Sequence, residues 1–470
     1  MDVVIILGCL CALMYLAWRG FSVILLAPAC GLLAVALMGK AILPAYTELF
    51  MIKTVGFIKS YFPVFFLGSL FGQLMGDSGF ARSIAKSIVK KLGKDKALLS
   101  VVLPGSILTF GGVSLFVVVF AIYPFAAALY KEAGIPKRFI PGAIVTGAFT
   151  ATLGAFPGSP QIQNIIPATF FGSTIFASPG IGIVTGIVLW SACFIYMYCQ
   201  HKKAAAKGEG YGSPSELINE PLIKEEDTAS TNGWIATFPI LAVLAIIFYI
   251  NYNVSWDPAL LAPYKAMKLP MVAGSIKNVQ SSWALICGLF VGAILIIGLG
   301  WKNFVGGPKG VIKSLNIGTN GSIMAILNTA CLVGFGSIIS TSDGFKHISQ
   351  FLMGIQIGST PLWSQAITIN ILAAITGSAS GGVSIALDLM GKQWLEWGIQ
   401  SGVPIEVMTR IAAIASGGLS LTPHNGALIT LLTVCGLTHK QSYKDVLILS
   451  LFKGSASFFA IILYSIFGNF

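Results

Sequence analysis

The chain has 470 residues, of which 55% are hydrophobic and only 10% charged, against about 25% charged in soluble proteins. So few polar groups cannot cover a soluble fold of this length, which excludes a soluble enzyme and points to a chain that crosses a membrane many times. The formal net charge of +12 lies in short loops between apolar runs, the pattern of cytoplasmic loops rather than of a nucleic-acid-binding face.

The first apolar run, Val3 to Ala17, opens on Asp2 and is followed by no small-residue cleavage site. It reads as a mature span, not a signal peptide. Spans are expected at roughly 3–18, 20–39, 56–76, 139–170, 176–199, 234–251, 282–300, 321–341, 405–437 and 446–467, ten in all. The cysteines sit in or beside these runs, none at metal-ligand spacing from a histidine. They read as small packing residues, and neither a metal nor a cofactor is expected.

Two segments, 97–130 and 361–396, do not fit a simple crossing. As one helix at about 1.5 Å per residue the first is too long for a hydrocarbon core of about 30 Å, yet it is too short for two crossings. Lys90, Lys91, Lys94 and Lys96 precede it, and Lys131, Lys137 and Arg138 follow it, so both ends want the same side. A re-entrant helical hairpin with its glycine-rich tip, Thr109-Phe110-Gly111-Gly112-Val113-Ser114, satisfies both facts. Such backbone is tolerated at membrane depth only where protein buries it or it lines a polar cavity.

The motif recurs. Gly111-Gly112-Val113-Ser114 is repeated as Gly381-Gly382-Val383-Ser384, and Phe71 to Phe80 resembles Phe335 to Phe345. Gly134-Ile135-Pro136 matches Gly402-Val403-Pro404, and Phe156-Pro157-Gly158-Ser159-Pro160-Gln161 falls where Leu421-Thr422-Pro423-His424-Asn425-Gly426 falls. Four matches in one order describe an internal repeat. Residues 1–199 form the first half, 200–233 a polar linker expected in the cytoplasm, and 234–470 the second half. With the first hairpin inside, most of the 29 Lys and Arg fall on the inner side. Lys392 and Arg410 are then assigned to outer loops, and Lys453 to the neighbourhood of a span end. This arrangement leaves both termini outside and turns the second hairpin outward, so the halves are inverted and their tips face each other.

Segments 139–170 and 405–437 are each too long for one straight span, and each carries a proline break. Proline removes a donor and interrupts the helix ladder. Half-helices then present free N–H ends, which suit an anion, and free C=O ends, which suit a cation. Two tips and two breaks would gather Thr109, Gly111, Gly112, Ser114, Pro157, Ser159, Gln161, Asn164, Thr376, Gly381, Gly382, Ser384, Thr422, Pro423, His424 and Asn425 around one small organic anion. Each hydroxyl taken alone is as readily a helix-packing residue. His424 and Asp388 are the candidates for proton coupling, with packing, and for Asp388 a pair with Lys392 one turn on, as the competing roles. Asp77 and Asp343 read first as turn formers beside glycines.

These motifs, together with Cys435-Gly436-Leu437-Thr438-His439-Lys440, resemble the gluconate permease (GntP-type) family, a branch of the Ion Transporter superfamily. The likeness covers nearly the whole chain. It implies uptake of small hydroxy-acid anions such as gluconate or 3-hydroxybutyrate, usually with protons, by a homodimer with a scaffold domain and a moving transport domain. In sodium-coupled relatives the hairpin tips and a Thr-Pro break bind sodium and carboxylate, which keeps sodium as the alternative coupling ion. The first break reads Gly154-Ala155-Phe156-Pro157-Gly158-Ser159-Pro160, without the histidine- and proline-rich run of gluconate transporters proper, and so also suits a smaller, less hydroxylated acid. The expected fold is an all-α polytopic inverted-repeat transporter of the elevator type, in the cell inner (plasma) membrane. An intramembrane enzyme would need a nucleophile–base pair or metal ligands at depth, and no such cluster is present in the sequence. A channel is the remaining class.

Overall fold

The computed structural model describes residues 2–19, 21–93, 96–113, 115–212, 231–267, 276–342, 344–345, 347, 350–351, 354, 359–423 and 425–470. All regular secondary structure among them is helical. Among the described residues six helices are long and apolar enough to cross a membrane: Ile42–Asp77, Pro179–Ala206, Gly233–Asn253, Ser282–Asn303, Pro308–Ser340 and His439–Phe467. Shorter apolar helices include Asp2–Trp18 and Val23–Leu37.

Three long helices begin earlier than hydropathy alone indicates. Pro308 occupies the first helical turn, where its missing N–H costs nothing. Thr438 and Gln441 form a reciprocal capping box that starts the last helix at His439, although the residues after it are polar. A π-helical stretch, Ala45–Met51, leads into Ile52–Asp77.

Glycine sets how these helices approach. Pro308–Ser340 lies along Ile42–Asp77. A Cβ on Gly318 would come 2.9 Å from Leu70, and Gly334 lies against Phe50 and Thr54. Gly288 and Gly292 do the same against Val243 and Ile247 of Gly233–Asn253. Small residues let backbones close where lipid supplies no hydrophobic drive. These helices also expose large apolar side chains, among them Ile187, Leu241, Phe248 and Ile294, as lipid-facing surfaces do.

The interrupted helices sit inside that ring. Every residue of Ile140–Ala148 is buried, and so is every residue from Val407 to Gly417. Helices apolar on all sides belong to an interior. The first continues through Ala151–Gly154, breaks, and resumes as Ile162–Phe171. The second, Ile405–Gly417, breaks and resumes as Gly426–Val434. Two helix–turn–helix pairs pack beside them, Ala97–Phe110 with Leu115–Glu132 and Leu362–Thr376 with Ala379–Gln400.

Three expectations need correction. The second pair turns at Gly377 (φ +57°) and Ser378, not at Gly381-Gly382-Val383-Ser384. Ser378 accepts from the Gly381 N–H and caps the helix, so the glycines fall in its first turns. Gly382 lets that arm press against the Ala373 backbone of the other arm. Arg410 is no loop residue: it is 1% exposed, because the break carbonyls absorb its donors. Lys453 is not at a span end. It lies at the midpoint of the 29-residue helix His439–Phe467 and is 3% exposed.

Candidate transport site

Each interrupted helix is tied to the tip of one helical pair by a side-chain amide. In the first break, Pro157 and Pro160 supply no N–H, and Gly158 (φ +87°) reverses the chain. Gln161 then sends its Nε2 to the carbonyl oxygens of Thr109 (2.7 Å) and Val113 (3.3 Å) at the tip. Gly112 (φ +86°) rests on Pro160, where a Cβ would come 2.7 Å from the ring. In the second break, Asn425 sends its Nδ2 to Gly377 O (2.8 Å) at the other tip and to Ser420 O (3.0 Å). Its Oδ1 accepts from the Leu428 N–H at 2.7 Å.

The two helix ends differ. Asn425 caps its half-helix, whereas Gln161 spends its amide on the tip and leaves Ile162–Phe171 without a side-chain cap. The N–H groups of that end carry the positive pole of the helix. Two fully buried hydroxyls, Ser159 Oγ just before the helix start and Thr109 Oγ1 on the tip residue that Gln161 holds, have no hydrogen-bond partner among the described residues. Buried polar atoms are ordinarily paired, so these have the signature of groups that await a ligand.

The breaks meet through Arg410. Its guanidinium donates to Ile175 O (2.7 Å), Ala177 O (2.9 Å), Asn164 Oδ1 (2.9 Å), Gly154 O (3.3 Å) and Ala155 O (3.4 Å). Gly154 in turn lies directly against the Ala413 carbonyl, where the two interrupted helices cross. The arginine neutralises the negative C-terminal pole of the first half-helix. Its partners among the described residues are all protein oxygens, so it serves the scaffold rather than an anion. Asn164 is spent likewise, on Arg410 and on Ser159 O at 3.2 Å.

The other predicted residues distribute as follows. Gly111 abuts Ile240. Thr376 donates back to Leu372 O (2.8 Å), and Ser384 to Ser380 O (2.6 Å). Thr422 is half-buried in the second break. Asp388 pairs with Lys53 at 2.7 Å, not with Lys392, because its helix face turns toward Ile42–Asp77. Asp77 ends its helix and accepts from Gln73 at 2.9 Å. Ser114, His424 and Asp343 lie outside the described residues.

Sequence reasoning missed three contributors. His439 lies 2.9 Å from Pro423 O, and Tyr443 donates to Leu421 O at 3.1 Å. Both sit on the last helix; His439 falls in the run Cys435 to Lys440 without having been given a role there, and Tyr443 lies beyond it. The third is Lys453, a lone cation in an apolar run, which deserved a functional reading by that fact alone.

No family model matches the chain. It is 43% identical over 478 aligned residues to an uncharacterized transporter, YxjC, of Bacillus subtilis, with all of both chains covered. It is 24% identical to a gluconate permease of Bacillus licheniformis, over 70% of this chain and 71% of that one. An uncharacterized transporter of Haemophilus influenzae is also 24% identical, over 71% and 68%. Among solved structures the YdaH transporter of Alcanivorax borkumensis shares the fold, with a TM-score of 0.54 at 13% identity over 89% of this chain and 88% of that one.

Proposed function

Since the chain belongs to the gluconate permease (GntP-type) family of membrane transporters and is no enzyme, we propose that it is a proton-coupled symporter importing small hydroxy- or sugar-acid monocarboxylates. The observation that carries this reading is the paired latch, Gln161 to Thr109 O and Asn425 to Gly377 O. Two interrupted helices, each held to a hairpin tip by one amide, are what an inverted repeat produces around a midplane site. The uncapped start of Ile162–Phe171, with Ser159 and Thr109, offers backbone N–H groups and hydroxyls to the polar remainder of a hydroxylated substrate.

In this reading the hairpins are re-entrant, and the chain crosses the inner (plasma) membrane ten times with the 200–233 linker in the cytoplasm. The hairpins and interrupted helices move as one body against the glycine-packed pair Ile42–Asp77 and Pro308–Ser340, in a homodimer. Sodium is the second reading for the coupling ion, favoured by the oxygens of Thr109 and Ser159, which lack partners among the described residues.

The test is uptake of labelled 3-hydroxybutyrate, lactate, gluconate and citrate into proteoliposomes, with pH and sodium gradients imposed separately. Saturable accumulation of a monocarboxylate driven by an inward proton gradient is expected. Non-saturable flux that only equilibrates the label would make the protein a channel, and transport restricted to citrate would overturn the substrate class.

A further inference from the structure

Lys453 is a buried cationic side chain whose chemistry the fold leaves unexplained. Its Nζ has no hydrogen-bond partner among the described residues. It is directed at the second break, where a Cβ on Gly417 would lie 3.2 Å from Nζ and 3.9 Å from Leu153 of the first interrupted helix. Nζ bonds to neither of the nearest carbonyls of the break, which accept from serine hydroxyls instead. Ser420 donates to Gly417 O and Ser450 to Gly418 O, each at 3.0 Å.

A second orphan lies on the other side of the same break. Asn370 donates its Nδ2 to Ala366 O (2.8 Å) and Ser457 Oγ (3.1 Å), but its buried Oδ1 has no donor. That oxygen lies against Gly418 and 3.4 Å from where a Cβ on Gly454 would stand. An unmatched cationic donor and an unmatched acceptor thus flank one glycine pair. They are complementary to the two groups of a hydroxy acid, its carboxylate and its hydroxyl.

Among the described residues packed around it, Lys453 meets no charged partner. From Pro179–Ala206 the Cys193 thiol faces it, while Tyr196 of that helix is bound to Asp445 at 2.8 Å. Asp445, two turns away on the lysine's own helix, also faces Arg138 at 3.8 Å. The interrupted helix Ile405–Gly417 carries Arg410, which is turned to the first break. Ile140–Ala148 and Leu362–Thr376 contain no titratable residue. A lone ammonium removed from water is costly unless an anion joins it, and the neutral amine avoids that cost.

We propose that Lys453 carries the coupling proton, neutral in the empty site and protonated when a hydroxy-acid carboxylate binds at the Gly417–Gly418 break. The inference rests on the transporter reading above. From the outer solution one proton adds to Nζ and one carboxylate pairs with it. The ammonium–carboxylate pair moves with no net charge. On the inner side the anion leaves, and the N–H bond releases the same proton. Asn370 Oδ1 accepts the substrate hydroxyl. Linkage makes the coupling reciprocal: the anion raises proton affinity as much as the proton raises anion affinity.

The experiment adds 3-hydroxybutyrate to the purified protein in weak buffer with a pH indicator, beside calorimetric binding and proteoliposome transport. Wild type is expected to take up about one proton per bound anion, and its Kd to rise about tenfold per pH unit once the empty site is deprotonated. Lys453→Arg, which stays charged, is expected to bind independently of pH and to perform counterflow exchange, but to take up no proton and not accumulate substrate on a pH gradient. Lys453→Gln is expected to weaken binding at least tenfold. Binding to wild type without proton uptake overturns the proposal even if neither variant folds. So does a folded variant that retains wild-type proton uptake and pH-driven accumulation. Sodium-driven transport without proton uptake would sink Lys453 and leave the transporter standing. Failure of wild type to bind 3-hydroxybutyrate, lactate or gluconate would sink both.

Discussion

Replacing Arg410 by methionine tests whether the two interrupted helices hold together as described. Methionine keeps the length and apolar stem of the side chain but removes every donor. Of the five bonds, those to Ile175 O, Ala177 O and Asn164 Oδ1 are at 2.7–2.9 Å, while those to Gly154 O and Ala155 O, at 3.3 and 3.4 Å, contribute little. Three buried acceptors losing a charged donor cost about 1–3 kcal/mol each. Relief from burying the cation offsets part of this, which leaves a net loss of about 3–5 kcal/mol. In a chain of this size that is an apparent melting temperature lower by about 5–10 °C. Unfolding of a detergent-solubilised protein is operationally irreversible, so scan rate is held fixed and thermal half-life measured beside it. Arg410→Lys keeps the charge without the planar fork and should fall between wild type and methionine. A methionine variant that melts with wild type and yet no longer binds substrate would refute the reasoning, since Arg410 would then be an anion ligand and not a brace.

Gln161→Leu removes the latch at the first break, a loss of about 1 kcal/mol in stability; proteoliposome transport should fall far more than the melting temperature, and unchanged transport would remove the latch from the mechanism. Gly382→Val forces a side chain into the Ala373 backbone, so yield of monodisperse protein should drop sharply in size-exclusion chromatography; normal yield with only transport lost would return Gly382 to the substrate site. Arg138 holds the Glu209 carboxyl below the ordinary carboxylate range through its hydrogen bonds, at 2.6 and 2.9 Å, and its charge. The folded value is depressed, so the stabilisation is present above the unfolded glutamate value of about 4.3 and disappears as pH falls through the lower folded one. Both side chains are over a third exposed, which limits the effect to under about 1 kcal/mol; Glu209→Gln should lower the melting temperature slightly at pH 7 and not at about pH 3.

The prolines and glycines that end helices are legible in the sequence because their chemistry is local. Pro157, Gly158 and Pro160 interrupt one helix and Pro423 marks the interruption of another, each by removing a donor or permitting a left-handed residue. The identical Gly-Gly-Val-Ser motifs were harder to read, since glycine serves two purposes. Gly112 makes a turn at φ +86°, whereas Gly382 stays helical and makes room for Ala373. Only the capping bond from Gly381 N–H to Ser378 decides between them, and a three-residue capping bond leaves little trace in hydropathy.

The charges show the opposite limit. Hydropathy treats a basic residue as a marker of the membrane surface, which suits Lys90, Lys91 and Lys131 at exposed helix ends. It fails for Arg410 and Lys453, whose positions depend on partners distant in sequence. Arg410 is satisfied chiefly by Ile175 O and Ala177 O, in the connection after Ile162–Phe171, and by Asn164 Oδ1, with the break carbonyls Gly154 O and Ala155 O farther off. Lys453 faces the corresponding break in the other half and bonds to none of its carbonyls, Gly417 O and Gly418 O accepting from Ser420 and Ser450. One cation therefore closes its break permanently. The other has no partner among the described residues, and this asymmetry between two otherwise similar interruptions is what the proposed proton coupling draws on.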